Sequence, residues 1–107
     1  MKRVTLFLIF VCVLFTLSVS AKTTIVYWQY FYQTKVDTIN QLIKEFEKLN
    51  PDIEVKQVTF PYENYNQKVA ASIPAGIGPD VINLFYGWLP MYVNSGYLQE
   101  LPKNEFN

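Results

Sequence analysis

The chain contains no histidine, a single cysteine and no excess of either charge. Each shortage removes a class of chemistry. Without histidine, the commonest general base and a principal metal ligand are missing. The one cysteine, Cys12, has no partner for an intrachain disulfide, and Phe10 and Val11 before it are not the small residues of a lipid-attachment site. Nine basic residues face nine acidic ones, so nucleic acid finds no electrostatic foothold. Internal repeats and low-complexity segments are absent from the sequence as well.

Long hydrophobic runs are also scarce, with one exception. Lys2 and Arg3 precede an almost wholly apolar stretch from Val4 to Val19, and small residues then lead to Ala21. The stretch is shorter than the roughly 20 residues that span a bilayer. This is the layout of a secretory signal peptide over residues 1–21, cut after Ala21 to give a mature chain of residues 22–107 that starts at Lys22. An uncleaved membrane anchor is the alternative. Cleavage would remove Cys12, Lys2 and Arg3, leaving seven basic against nine acidic residues, a net charge of −2.

Aromatic residues are what the remainder has in plenty. All eight tyrosines and both tryptophans lie after residue 21. Thr23 to Trp28 is β-branched and aromatic, the composition of a strand, and its unbroken apolar run places it centrally in a sheet. Gln29 to Gln33 reads as a loop carrying three rings. Thr34, with Asp37 three residues on, predicts a capping box. Val36, Ile39, Leu42, Ile43, Phe46 and Leu49 recur at helical spacing, with Lys44, Glu45, Glu47 and Lys48 on the wet face. Asn50 fits a left-handed terminus, and Pro51 forbids continuation.

Asp52 to Val58 predicts a second strand nearer an edge. After Pro61, the positions Tyr62, Tyr65, Val69 and Ile73 mark a second helix, which Pro74 ends at or before Ile73. The stretch from Gly78 to Gly96 then combines a turn at Gly78–Asp80, an apolar strand over Val81–Phe85 and an aromatic cluster around Gly87. Leu89 to Asn94 predicts a short helix closed by Gly96. The order βαβαβα implies an α/β fold with a parallel sheet and right-handed crossovers. In the spatial order 2-1-3 the winding reverses between strands one and three. Ligands bind such sheets in the crevice at the carboxyl ends of the strands, at that switch point. The two aromatic-rich loops, after Trp28 and after Phe85, fall there.

An opening strand ending in YWQYF, a helix running into IKEFEKLNPDIEV, and the later GPDVINLFYGWLPMYVNSGYL together resemble the extracellular solute-binding proteins of ABC transporters that deliver mono- and oligosaccharides. The resemblance covers essentially the whole of residues 22–107. It implies the start of the first lobe of a periplasmic binding protein-like fold, in a family whose members have two lobes closing around a sugar. It further implies a periplasmic or extracellular location, a carbohydrate ligand, a membrane permease as partner, a monomeric full-length protein, and neither cofactor nor catalysis. A chain this short is expected to be truncated and not competent alone.

Sugars present flat C–H faces and rings of hydroxyls, so their sites pair aromatic plates with a few polar groups. Trp88, Tyr86, Tyr30, Phe31 and Trp28, with Gly87 between two of the rings, are the expected ligand-binding residues; Trp28, at the end of a buried strand, is the one that suits the core better than the site. Asp80 is expected to cap its own turn. Asn83 suits either backbone bonding or the cleft. A paired-carboxylate glycosidase would need two acids converging on a sugar bond, and no pair has an evident reason to converge. A small secreted carbohydrate-binding or adhesion module is the alternative of a different class; such modules are usually all-β, against the strong helix over residues 35–49.

Overall fold

The computed structural model describes residues 21–105; the predicted signal segment therefore lies outside the described residues, save Ala21. In chain order the elements are β1 (Thr23–Tyr30), α1 (Gln33–Leu49), β2 (Ile53–Phe60), α2 (Tyr62–Ser72), β3 (Val81–Ile82) and α3 (Leu89–Asn94), with 3-10 turns at Tyr86–Trp88 and Lys103–Glu105. The sheet is parallel with order β2-β1-β3, so β1 is central and β2 an edge. β1 and β2 pair over their full length from Thr23↔Ile53 to Tyr30↔Phe60, whereas β3 pairs only at Tyr27↔Val81 and Trp28↔Ile82.

Alternation along β1 sends its side chains to two different layers. Val26, Trp28 and Tyr30 face the core, where Trp28, Tyr65, Val69 and Tyr92 are buried. Ile25 and Tyr27 face α1, beside Ile39, Leu42, Ile43 and Phe46. Gln29, fully buried, donates from Nε2 to Gln57 Oε1, and Gln57 donates in turn to Asn40 Oδ1 (2.6 Å). This polar strut ties β1, β2 and α1 together. It satisfies one half of a buried amide; the Gln29 Oε1 has no partner among the described residues.

Several local expectations change. β1 runs two residues further than its apolar stretch, because Gln29 and Tyr30 continue to pair with Thr59 and Phe60. α1 starts at Gln33 behind Tyr32, with no side-chain cap; Thr34 lies within the helix, where its carbonyl accepts the Thr38 hydroxyl (2.8 Å), and Asp37 accepts from Gln33 (2.9 Å). Asn50 is not left-handed (φ −131°) and closes the helix by donating both its backbone and side-chain N–H to Phe46 O, at 3.0 and 2.9 Å. Glu47 is not on the wet face, since its Oε1 accepts the outward Val55 N–H of the β2 edge at 2.7 Å.

The third strand is two residues long instead of five. Asn83 N still donates to Trp28 O (2.8 Å), but Leu84 then leaves the sheet to pack on the core, and the Phe85 ring turns onto Tyr86 and Trp88. Packing on the core, without a ladder, leaves Leu84 and Phe85 half-buried. Asp80 does not cap its own turn; its carboxylate accepts Val26 N (2.8 Å) while its own N–H donates to Val26 O (3.0 Å), pinning the approach to β3 against β1. α3 ends as expected, with Gly96 at φ 67°.

Candidate functional site

The parallel sheet aims the carboxyl ends of β1, β2 and the β3 segment at one edge of the molecule. Tyr30, the last residue of β1, is the hub of the rings gathered there. It meets Tyr32, Tyr62, Tyr65 and Trp88 edge-on, with centroids at 5.7, 5.3, 5.6 and 6.3 Å. These are the preferred T-shaped geometries of aromatic pairs. Trp88 lies stacked beside Tyr62 (5.5 Å, 29°) and Tyr65 (6.2 Å, 24°), so two residues one helical turn apart on α2 hold the indole. The loop after β1 and the 3-10 turn after β3 thus meet across α2.

The six expected site residues divide into layers. Trp28 is in the core, 7% exposed, with its ring edge-on to Phe60 at 4.7 Å. It lies beneath the rim as support for the rings above. Tyr30 and Trp88 are half-buried, Phe31 is half-exposed, and Tyr86 projects into solvent with 82% of its surface exposed. Gly87 serves by close approach: a Cβ there would sit 2.5 Å from Cε1 of Phe85, whose ring braces Trp88 at 5.6 Å.

Tyr32, Tyr62, Glu63 and Lys35 join this rim although the sequence pattern did not single them out. Lys35 Nζ donates to Asn83 Oδ1 (2.7 Å) and lies 4.2 Å from the Tyr30 ring centroid, a cation–π contact. This answers the ambiguity of Asn83, which bonds the Trp28 carbonyl through its backbone and Lys35 through its side chain. An open pocket of about 500 Å³ lies at the ends of β1 and β2, walled chiefly by Phe31, Tyr32, Phe60, Tyr62 and Glu63. The rule that ligands gather at strand carboxyl ends covers the loop after β2 as well, and it is the signal that could have found Tyr62 and Glu63.

Burial pushes the Tyr65 hydroxyl far above the ordinary tyrosine range, with neighbouring Tyr92, Tyr27 and Tyr30 adding to the rise. It donates to the Trp28 carbonyl at 2.9 Å, deep under the rim. Burial also raises Tyr92 and Tyr27, the latter partly offset by a hydrogen bond with Asn83. Among the described residues no group of three or more acids and cysteines could hold a metal ion.

Residues 32–107 match the family model of the bacterial extracellular solute-binding proteins. The chain belongs to this family. Solved solute-binding proteins share its fold. An ABC substrate-binding protein from Listeria monocytogenes, in complex with cycloalternan, is 36% identical at TM-score 0.63, over 70% of this chain and 19% of that one. The GacH receptor of Streptomyces glaucescens, solved unliganded and with acarbose, is 26% identical at TM-score 0.70, over 77% and 21%. Apo RafE from Streptococcus pneumoniae is 28% identical at TM-score 0.66, over 80% and 22%. The chain thus spans about a fifth of the length of these solute-binding proteins. No curated protein matches it.

Proposed function

We propose that this chain is the opening part of the first lobe of an ABC-importer binding protein that captures a carbohydrate outside the inner membrane, without catalysis, and hands it to a membrane permease. The observation that carries the reading is the ring cluster at the strand carboxyl ends: Trp88 and Tyr30 packed as fixed plates, with Tyr86 and Phe31 exposed beside them. Fixed rings suit the C–H faces of a sugar because they lose little side-chain freedom on binding. The solute-binding proteins solved with cycloalternan and with acarbose support the same ligand class. The segment 1–21 directs export and is removed.

Closure around a ligand needs two lobes about a hinge, so the decisive experiment places residues 22–107 into a complete family member in exchange for the corresponding segment. Calorimetry of that chimera with its sugar is expected to show affinity, and Trp88→Ala and Tyr86→Ala each to weaken it about tenfold or more through lost area and stacking. Native affinity in both variants would remove these rings from the site. The chain by itself is expected to bind sugars no tighter than about millimolar, near −4 kcal/mol. Mass spectrometry of the exported product should find Lys22 at its start.

A further inference from the structure

The pocket at the ends of β1 and β2 shares Phe31 and Tyr32 with the loop after β1 and extends the site to the loop after β2, where the charge of its lining is one-sided. Phe31 N donates to Phe60 O (2.8 Å), which locks the two strand ends together and fixes the pocket floor. On that floor Phe31 and Tyr32 remain about half exposed, and Tyr62 is held from behind by Tyr30 and Trp88. Glu63 is the one charged residue in the lining. It takes no part in an ion pair among the described residues, where the single pair is Lys48–Glu45. Two lysines border the cluster without entering the lining: Lys68 sits over the Phe60 ring with Nζ 5.9 Å from its centroid, and Lys35 is engaged with Asn83 and the Tyr30 ring.

We infer that this pocket is a sugar subsite in which Glu63 selects uncharged over acidic sugars, an inference that rests on the carbohydrate reading of the site. Tyr32, Phe31 and Tyr62 offer ring faces and edges to a sugar's C–H surface, and a carboxylate accepts paired bonds from neighbouring hydroxyls, stronger than neutral ones. A uronate would bring a second carboxylate within a few ångströms of the first. Repulsion between two such charges at this exposed, open site corresponds to about a tenfold loss of affinity.

The test uses methyl glucoside and methyl glucuronide, which differ only at C6, hydroxymethyl against carboxylate, titrated at constant ionic strength into the isotopically labelled 107-residue chain. Amide shifts in NMR spectra read binding even in the millimolar range and report folding of each variant directly. The glucoside is expected to move the Phe31, Tyr62 and Glu63 amides and to bind about tenfold more tightly than the glucuronide. Glu63→Gln should bring the ratio close to one, and Glu63→Lys should invert it. Equal affinities in the unaltered chain, a ratio that survives both variants, or shifts confined to the Trp88 side would overturn the inference while leaving carbohydrate capture intact. No shift with either glycoside would overturn it too, and the chimera then decides capture separately.

Discussion

The Trp28 carbonyl accepts two hydrogen bonds, from Tyr65 Oη at 2.9 Å and from Asn83 N at 2.8 Å, and this decides what each donor is worth. Tyr65→Phe leaves the carbonyl partnered, so the loss is expected at about 1 kcal/mol in denaturant unfolding, the net value of one bond rather than the penalty of an orphaned group. The raised hydroxyls also set an alkaline limit. Tyr65, Tyr92 and Tyr27 hold their protons in the folded chain beyond the pH at which they ionise when unfolded, about 10. Their contribution is therefore complete below about pH 10 and lost as pH rises above it, because the unfolded state then releases protons that the folded state keeps. Parallel ultraviolet and circular dichroism titrations should show part of the phenolate signal appearing only with loss of structure. Complete ionisation of the tyrosines with an unchanged dichroism spectrum would contradict this.

At the scale of elements, β2 carries one edge of the sheet, opposite β3, and α1 shields part of it through Glu47. Two glutamates two residues apart on α1 therefore differ sharply in consequence. Glu47→Ala frees the Val55 N–H and is expected to lower stability by about 1.5–3 kcal/mol, the range for a bond to a charged group, and to promote edge-to-edge association visible by light scattering. Glu45→Ala removes only a solvent-exposed pair with Lys48 at 2.8 Å and should change stability by less than about 0.5 kcal/mol. Equal effects would show that the edge is not protected in this way.

For the molecule as a whole, the two faces of the sheet are unequally covered. α2, α3 and the ring cluster close one face over Trp28, Tyr65, Val69 and Tyr92. Over the other, α1 has no fully buried residue and leaves an apolar groove that Ile25, Tyr27, Leu42, Phe46, Val55 and Val81 line, with Leu42 59% exposed. An apolar surface of this continuity drives association because joining two copies removes it from water. Light scattering on the purified chain is expected to show self-association, which Leu42→Lys combined with Phe46→Glu should reduce while helix content stays constant. A strictly monomeric unaltered chain at high concentration would contradict the expectation.

Periodicity made the two long helices and the central place of β1 legible, since apolar spacing and the breakers Pro51, Pro61 and Pro74 act locally and leave few alternatives; the order 2-1-3, assumed as the common one for such a chain, is the order found. The sequence also placed aromatic loops at strand carboxyl ends, and with them Trp88 and Tyr30. What only the tertiary structure decided were matters of partnership between distant residues. Whether Leu84 and Phe85 are covered by a ladder or by packing, whether Asp80 bonds its own turn or Val26, and whether Glu47 faces water or Val55 all depend on which backbone groups another element leaves free. That Tyr62 and Glu63 share a pocket with Phe31 and Tyr32 was decided when the crossover brought the end of β2 beside the end of β1, because a side chain's neighbours across a sheet are fixed by strand register and not by its own surroundings in the chain.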